Sequence, residues 1–151
     1  MRIRIHAFDL PGRHCAAGPG FPGAAEVHVA VQRRGRPQEL LDPQPGDAAS
    51  ASWTLECTAT AAADGYDLRG PYVQGGPADR FVYLSWGETD AAGTFAMFRR
   101  AKLMLAAVDP DVLAAAVRSG LLVGRLGLTD AAGRPLCAQV RPPRIAWTAG
   151  G

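Results

Sequence analysis

Apolar and polar side chains alternate along much of the chain, and this period of two is typical of β-strands with one buried face. Residues 3–7, 26–31 and 53–59 show the alternation. Residues 80–86 carry apolar or aromatic side chains on both faces, which indicates a strand that is covered on two sides. The pattern therefore predicts a chain built mainly from short strands.

Turn signals separate these strands. The dipeptide Asp64-Gly65 predicts a hairpin turn, because glycine accepts the positive φ that tight turns require, and residues 66–72 would return beside the preceding strand. The pentapeptide Thr-Asp-Ala-Ala-Gly occurs at residues 89–93 and again at residues 129–133, each time after an apolar run. Aspartate at a turn entry and glycine at its end favour a bulged hairpin, so we interpret both copies as turns rather than catalytic motifs.

One segment carries the signals of a helix. Asp109 suits the N-cap, Pro110 the first helical position and Gly120 the C-terminal stop, and residues 112–117 form an apolar stripe between them. Residues 98–108 are ambiguous, since their alternation fits a strand while their composition favours a helix. We predict a strand there.

The elements add up to seven to nine strands and one helix. They predict a mainly β fold, either an antiparallel β-sandwich or a partly open barrel with one short α-helix. An α+β fold with the helix on an antiparallel sheet is the alternative. Residues 36–45 are expected to form a polar connection punctuated by prolines, and residues 145–147 a final edge strand.

Length and charge limit the function classes. A chain of 151 residues is long enough for one domain with a single core. Its net charge of only +2 argues against a nucleic-acid partner, and no apolar run is long enough to span a membrane. The opening residues alternate where a signal peptide would need a continuous apolar run. We therefore expect a cytoplasmic protein of one domain.

Cysteine and histidine residues give no diagnostic site. The three cysteines are widely separated and lack the C-x-x-C spacing of zinc or redox sites, so we expect reduced thiols: Cys15, Cys57 and Cys137. His6, His14 and His28 all lie near the N-terminus. With Asp9 they could be assembled into a metal site, or His14 could activate Cys15, but neither spacing is characteristic. We predict no metal and no cofactor.

The densest set of cationic and aromatic residues lies between residues 69 and 102. The candidate ligand-binding residues are Tyr72, Arg80, Tyr83, Trp86, Arg99 and Arg100. Arginine forks bind carboxylate or phosphate in a bidentate way, and aromatic rings supply a stacking wall. This set predicts a pocket for an anionic or aromatic small molecule. The competing interpretation is that the rings fill the core while the arginines lie on a solvated face.

Several longer stretches carry a family resemblance. They are GPYVQGGPADRFVYLSWG, MFRRAKLML and GRLGLTDAAGRPLCAQVRPP, with the opening RIRIHAFDLPGR and the strand VHVAVQRR. On these stretches nearly the whole chain resembles an uncharacterised family of domains of unknown function, of about this length, from high-GC bacteria. The resemblance implies no activity, no cofactor and no functional residue.

Two functions of different classes remain open. The first is a small-molecule-binding β domain, which could extend to a cofactor-independent, isomerase-like or cyclase-like enzyme of secondary metabolism. The second is a protein-interaction module that uses an exposed strand edge or an arginine-rich face. An edge strand also leaves a homodimer open. A cavity lined by Tyr83, Trp86 and Arg99 would favour the first function, and a flat surface the second.

Overall fold

A computed structural model describes residues 1–8, 27–42, 44–45, 50–89, 95–127 and 145–151. The strands are β1 (Arg2–Phe8), β2 (Val27–Arg33), β3 (Arg36–Leu41), β4 (Gln44–Pro45), β5 (Ser50–Glu56), β6 (Thr58–Ala62), β7 (Gly65–Arg69), β8 (Phe81–Thr89), β9 (Phe95–Met104), β10 (Leu121–Gly127) and β11 (Ile145–Ala149). A 3-10 turn covers Leu105–Ala107, and helix α1 covers Pro110–Ser119. Strands therefore dominate the described part of the chain, as the alternation predicts.

The described strands form two larger sheets and a separate hairpin. One sheet has the order β11-β10-β1-β5-β4, the other has the order β3-β2-β8-β9, and β6 pairs with β7. Strands β1 and β10 are parallel, whereas the other described pairs of strands are antiparallel. The prediction of a mainly β fold with antiparallel sheets and one helix is confirmed, and the described sheets do not close into a barrel.

The inner faces of the two larger sheets share one core. In β1 the residues alternate between exposed and buried, with Ile3, Ile5 and Ala7 facing inward. Buried residues of both sheets belong to one continuous hydrophobic cluster, in which Trp53 on β5 is the largest side chain without exposed surface. Burial of apolar area at roughly 25 cal/mol per Å² makes this cluster the main source of stability.

Helix α1 begins and ends where the sequence predicts. The Oδ1 atom of Asp109 accepts hydrogen bonds from the backbone N–H groups of Asp111 and Val112, and Gly120 adopts the left-handed conformation at the C-terminus. Ala116 is completely buried, and the helix packs against β10, β11 and β7. Among the described residues no helix has the length and apolarity needed to cross a bilayer.

Residues 36–45 differ from the prediction. They contain the strands β3 and β4 instead of an irregular connection. Strand β3 follows β2 through a tight turn at Arg34 and Gly35 and pairs with it as the edge strand of its sheet. Polar edge strands of this kind lack the apolar alternation by which a strand is recognised in a sequence.

The predicted strand 53–59 is interrupted at Cys57. The Cys57 carbonyl accepts a hydrogen bond from the N-terminal ammonium group at 2.9 Å, and the Cys57 N–H donates to the Met1 carbonyl at 3.1 Å. These two bonds continue the antiparallel pairing of β1 with β5 by one residue, beyond which the chain enters the β6–β7 hairpin. The turn of that hairpin occupies Ala63 and Asp64, one residue before the predicted position.

The predicted strand over residues 98–108 is confirmed in part. Residues 98–104 belong to β9, whereas residues 105–107 form the 3-10 turn, and β11 is an edge strand as predicted. The strands on either side of the first Thr-Asp-Ala-Ala-Gly copy pair as an antiparallel hairpin, while residues 90–94 lie outside the described residues. The second copy lies entirely outside them.

Candidate functional site

A groove of about 280 Å³ lies between the β6–β7 hairpin, the 3-10 turn and the start of α1. More than half of its wall is apolar, and the lining residues Leu68, Leu105 and Val108 belong to the buried core. The lining residues are Asp64, Gly65, Tyr66, Leu68, Pro77, Ala78, Arg80, Leu105, Ala106, Val108, Pro110, Leu113 and Ala114. The volume is near the lower end of the roughly 300–1,000 Å³ that is usual for small-molecule sites.

Arg80 holds the walls of the groove together. Its side chain forms a fork on the Asp67 carboxylate, with Nε 2.9 Å from Oδ1 and Nη2 3.1 Å from Oδ2. Nη1 donates to the Gly75 carbonyl. The Arg80 carbonyl in turn accepts hydrogen bonds from the N–H groups of Leu105 and Ala106. One residue thus ties β7, the loop at Gly75 and the 3-10 turn to one another.

Asp67 forms ion pairs with two arginines, Arg80 in the groove and Arg69 beside it. Its Oδ2 atom also accepts a hydrogen bond from Nε of Arg69 at 2.7 Å. The hydrogen bonds from Arg80 and then Arg69 lower the pKa of the Asp67 carboxyl to about 2. The carboxylate is therefore ionised at neutral pH, and Arg80 faces the groove as half of an ion pair instead of as a free cation.

We expect Asp67 to stabilise the fold at neutral pH and to lose this effect in acid. The folded pKa of about 2 lies below the ordinary value of 3.8. The contribution is therefore fully present above about pH 4 and is lost as the pH falls toward 2. The Tm difference between the wild type and Asp67→Asn should be largest near neutral pH and should shrink below about pH 4. A difference that stays constant over this range would contradict the ion pair.

A second cluster contains Tyr83 and Arg100 of the predicted set. The Arg100 guanidinium carbon lies 4.6 Å from the centroid of the Tyr83 ring, and Lys102 Nζ lies 4.5 Å from the centroid of Phe81. The Phe81 and Tyr83 rings meet edge to face with centroids 4.7 Å apart. The protein's own cations already lie over these two rings, so a ligand would have to share or displace them.

The other predicted residues take separate places. Tyr72 is half-buried and packs against the core, and it does not line the groove. Trp86 and Arg99 are backbone partners in the β8–β9 pair, and their side chains lie outside the described set. Arg80 is the member of the set that lines the groove. The structure therefore brings Tyr83 and Arg100 together and places Arg80 in a different site.

Comparison with known proteins identifies a family whose function is unknown. The model of a family described as a family of unknown function, DUF5990, matches residues 1–150. The chain belongs to this family. No curated protein matches the chain, and no solved structure matches it. The resemblance seen in the sequence is thus confirmed as membership of an uncharacterised family, and an origin in high-GC bacteria stays a prediction.

In this member of the family the described cysteine is a core residue. Cys57 is 6% exposed, and burial raises the pKa of its thiol to about 11. The thiol is protonated at neutral pH and hence a poor nucleophile. Cys15 and Cys137 lie outside the described residues, as do His14 and Asp9.

The described histidine is held by a hydroxyl group. Nδ1 of His6 lies 2.9 Å from Oγ of Ser52 on the adjacent strand. His28 belongs to β2, in the other large sheet, so the strands of His6 and His28 are not neighbours. Among the described residues no group of three or more His, Cys, Asp or Glu side chains could hold a metal ion.

Sequence reasoning missed most of the groove. Tyr66 and Leu68 were recognised only as members of a returning strand, and Leu113 only as part of the helix stripe. Their common site exists because α1 packs against β7, a contact between elements about 40 residues apart along the chain. No local pattern signals such a contact.

Proposed function

We propose that this chain is a small-molecule-binding β domain whose site is the groove between β7, the 3-10 turn and α1. The observation that carries the proposal is a concavity of about 280 Å³ whose wall combines apolar side chains with polar groups. Sites for small molecules combine these two properties, because apolar walls supply binding free energy and isolated polar groups fix orientation.

The charge of the groove favours an uncharged ligand with an apolar body. Arg80 donates to Asp67 and Gly75 through Nε, Nη1 and Nη2. A guanidinium group has five N–H donors, so these three contacts leave two of them unused. A carbonyl or ether oxygen can accept from them, whereas a carboxylate ligand would meet the negative charge of Asp67 nearby. The anionic metabolite expected from the sequence is thus less favoured in this groove than a neutral one.

Filling the groove tests the proposal. Ala106 and Ala107 are consecutive exposed residues of the 3-10 turn, but only Ala106 lines the groove. Compounds that raise the Tm of the wild type should lose this effect with Ala106→Trp and keep it with Ala107→Trp, because a ligand stabilises the native state only if it binds there. The measurement is a thermal-shift screen with small, neutral, mainly apolar compounds.

Two results would contradict the binding groove. One is a screen in which no compound raises the Tm of the wild type. The other is a set of active compounds that Ala106→Trp and Ala107→Trp affect equally. The isomerase-like or cyclase-like activity stays a prediction beyond this test, as does the alternative of a protein-interaction module that uses a strand edge or an arginine-rich face.

A further inference from the structure

The outer face of the five-stranded sheet carries a row of cationic side chains. On β1, Arg2, Arg4, His6 and Phe8 alternate with buried residues and therefore point away from the core. The register of β1 with β10 places Arg125 beside His6. We call these five residues the cationic face. Its three arginines are exposed to solvent.

The arginines of the cationic face have no acidic partner among the described residues. The described ion pairs use other arginines, namely Arg33, Arg36, Arg69 and Arg80. Along the same side of β5 the outward residues are Ser52, Thr54 and Glu56, and Glu56 stands opposite Arg2 at the far end of the row. On the described strands of this face three arginines thus stand against one glutamate, an excess of positive charge.

An aromatic ring ends the row of cations. Phe8 is 38% exposed, and among the described residues no other large hydrophobic side chain is exposed. Its ring lies over Gly127, since a Cβ atom built at Gly127 would come within 2.8 Å of the ring. Gly127 follows Arg125 by two residues on the same side of β10. A partly exposed ring and an exposed guanidinium group are therefore neighbours on this face.

We propose that the cationic face binds single-stranded nucleic acid, with the arginines on phosphates and Phe8 stacked on a base. Planar guanidinium groups match phosphate oxygens in a bidentate way. Proteins that bind single strands combine a cationic track with aromatic side chains on which bases stack. The overall charge of +2 argues against such a partner, but attraction of an anion depends on the local charge of the surface that it meets.

Other anionic partners fit the face less well. A protein interface needs buried apolar or aromatic anchors in its centre, and a membrane surface needs apolar side chains that insert. Phe8 is the single large hydrophobic side chain exposed in the described part of the molecule. One aromatic ring is enough to stack on one base. An isolated aromatic residue beside arginines therefore fits single-stranded nucleic acid better than a protein or a membrane.

Removal of two arginines tests the phosphate contacts. Arg4→Ala/Arg125→Ala should weaken binding of a fluorescein-labelled oligothymidylate of about twelve nucleotides at least tenfold at low salt. It should also reduce the slope of log K against log salt by about 1.4, because each phosphate contact on a single strand contributes about 0.7. The matched control is Arg34→Ala/Arg118→Ala, which removes the same charge from two exposed sites elsewhere. The control should bind with nearly the wild-type affinity and slope.

Substitution of the ring tests stacking separately. Phe8→Leu keeps an apolar side chain and removes the ring, and it should weaken binding about tenfold, whereas Phe8→Trp should bind at least as tightly as the wild type. The titration is repeated with the duplex of the same sequence, with polyglutamate and with phosphatidylserine vesicles. The proposal is overturned if the wild type does not bind the oligonucleotide, if both double variants lose affinity equally, if Phe8→Leu has no effect, or if any of these three competitors binds more tightly.

Discussion

Replacement of Trp53 by alanine should reduce the free energy of unfolding by about 3–5 kcal/mol, the largest effect expected for one side chain of this protein. Trp53 is the largest residue without exposed surface, and it stands opposite Ile5 in the β1–β5 pair. Pairing with β1 along its whole length fixes the backbone of β5, so the strand resists moving into the space that the indole leaves. The lost apolar burial and the remaining cavity then add together.

The variant Trp53→Phe tests how much of the cost is offset by removal of the buried indole N–H. It keeps an aromatic ring in the core and removes the indole N–H, which is buried without a hydrogen-bond partner among the described residues. A buried donor without a partner costs about 1–3 kcal/mol, so its removal offsets part of the lost packing. We expect Trp53→Phe to cost less than half as much as Trp53→Ala in urea unfolding. Equal costs for the two variants would show that the indole N–H has a partner or that the core does not tolerate a smaller ring.

Gly75→Ala should reduce the free energy of unfolding by about 3 kcal/mol, from backbone strain and a steric clash together. Gly75 has a φ of +83°, a conformation that residues with a Cβ atom rarely adopt. A Cβ atom there would also clash with the Asp79 carbonyl, which is backbone and cannot rotate away. Because the Gly75 carbonyl accepts a hydrogen bond from Arg80, the variant should weaken ligand binding in the groove as well.

Gly35→Ala is the matched control for Gly75→Ala. Gly35 has a similar φ of +68°, but nothing lies within 4 Å of the position of its Cβ atom. This variant should cost only the conformational part, about 1–2 kcal/mol. Urea unfolding of both variants therefore measures the clash as the difference between them. If the two costs are the same, the backbone around Gly75 can shift to avoid the clash at little cost, and the loop does not hold Arg80 rigidly.

The sequence indicates residue types of the candidate site but not their partners. The segment from residue 69 to residue 102 does contain Arg80, a residue of the groove, and the Tyr83–Arg100 pair. Arg80 and Phe81 are adjacent in sequence, yet Arg80 bonds to Asp67 while Phe81 contacts Tyr83 and Lys102. Side chains of consecutive residues in extended backbone point in opposite directions, so one dense segment supplies two different sites.

The cationic face was within reach of the sequence but was not recognised there. Alternation of Arg2 and Arg4 with Ile3 and Ile5 places both arginines on one solvated face. The position of Arg125 beside them depends on the parallel pairing of β1 with β10, more than 110 residues later in the chain. The net charge of the chain does not reveal such a face, because it also counts the acidic residues that form ion pairs with arginines elsewhere.

The sequence by itself determined the elements that depend on neighbouring residues. Alternation predicted β1, β2 and β5, a run of apolar and aromatic residues on both faces predicted β8, and the cap at Asp109 predicted the start of α1. The tertiary structure alone decided which elements meet: the pairing of β1 with β10, the packing of α1 against β7, and the bond from Arg80 to Asp67. The physical reason is range. Periodicity and capping act within a few residues, whereas sheet order and ion pairs follow from burying one common core, which no short stretch specifies.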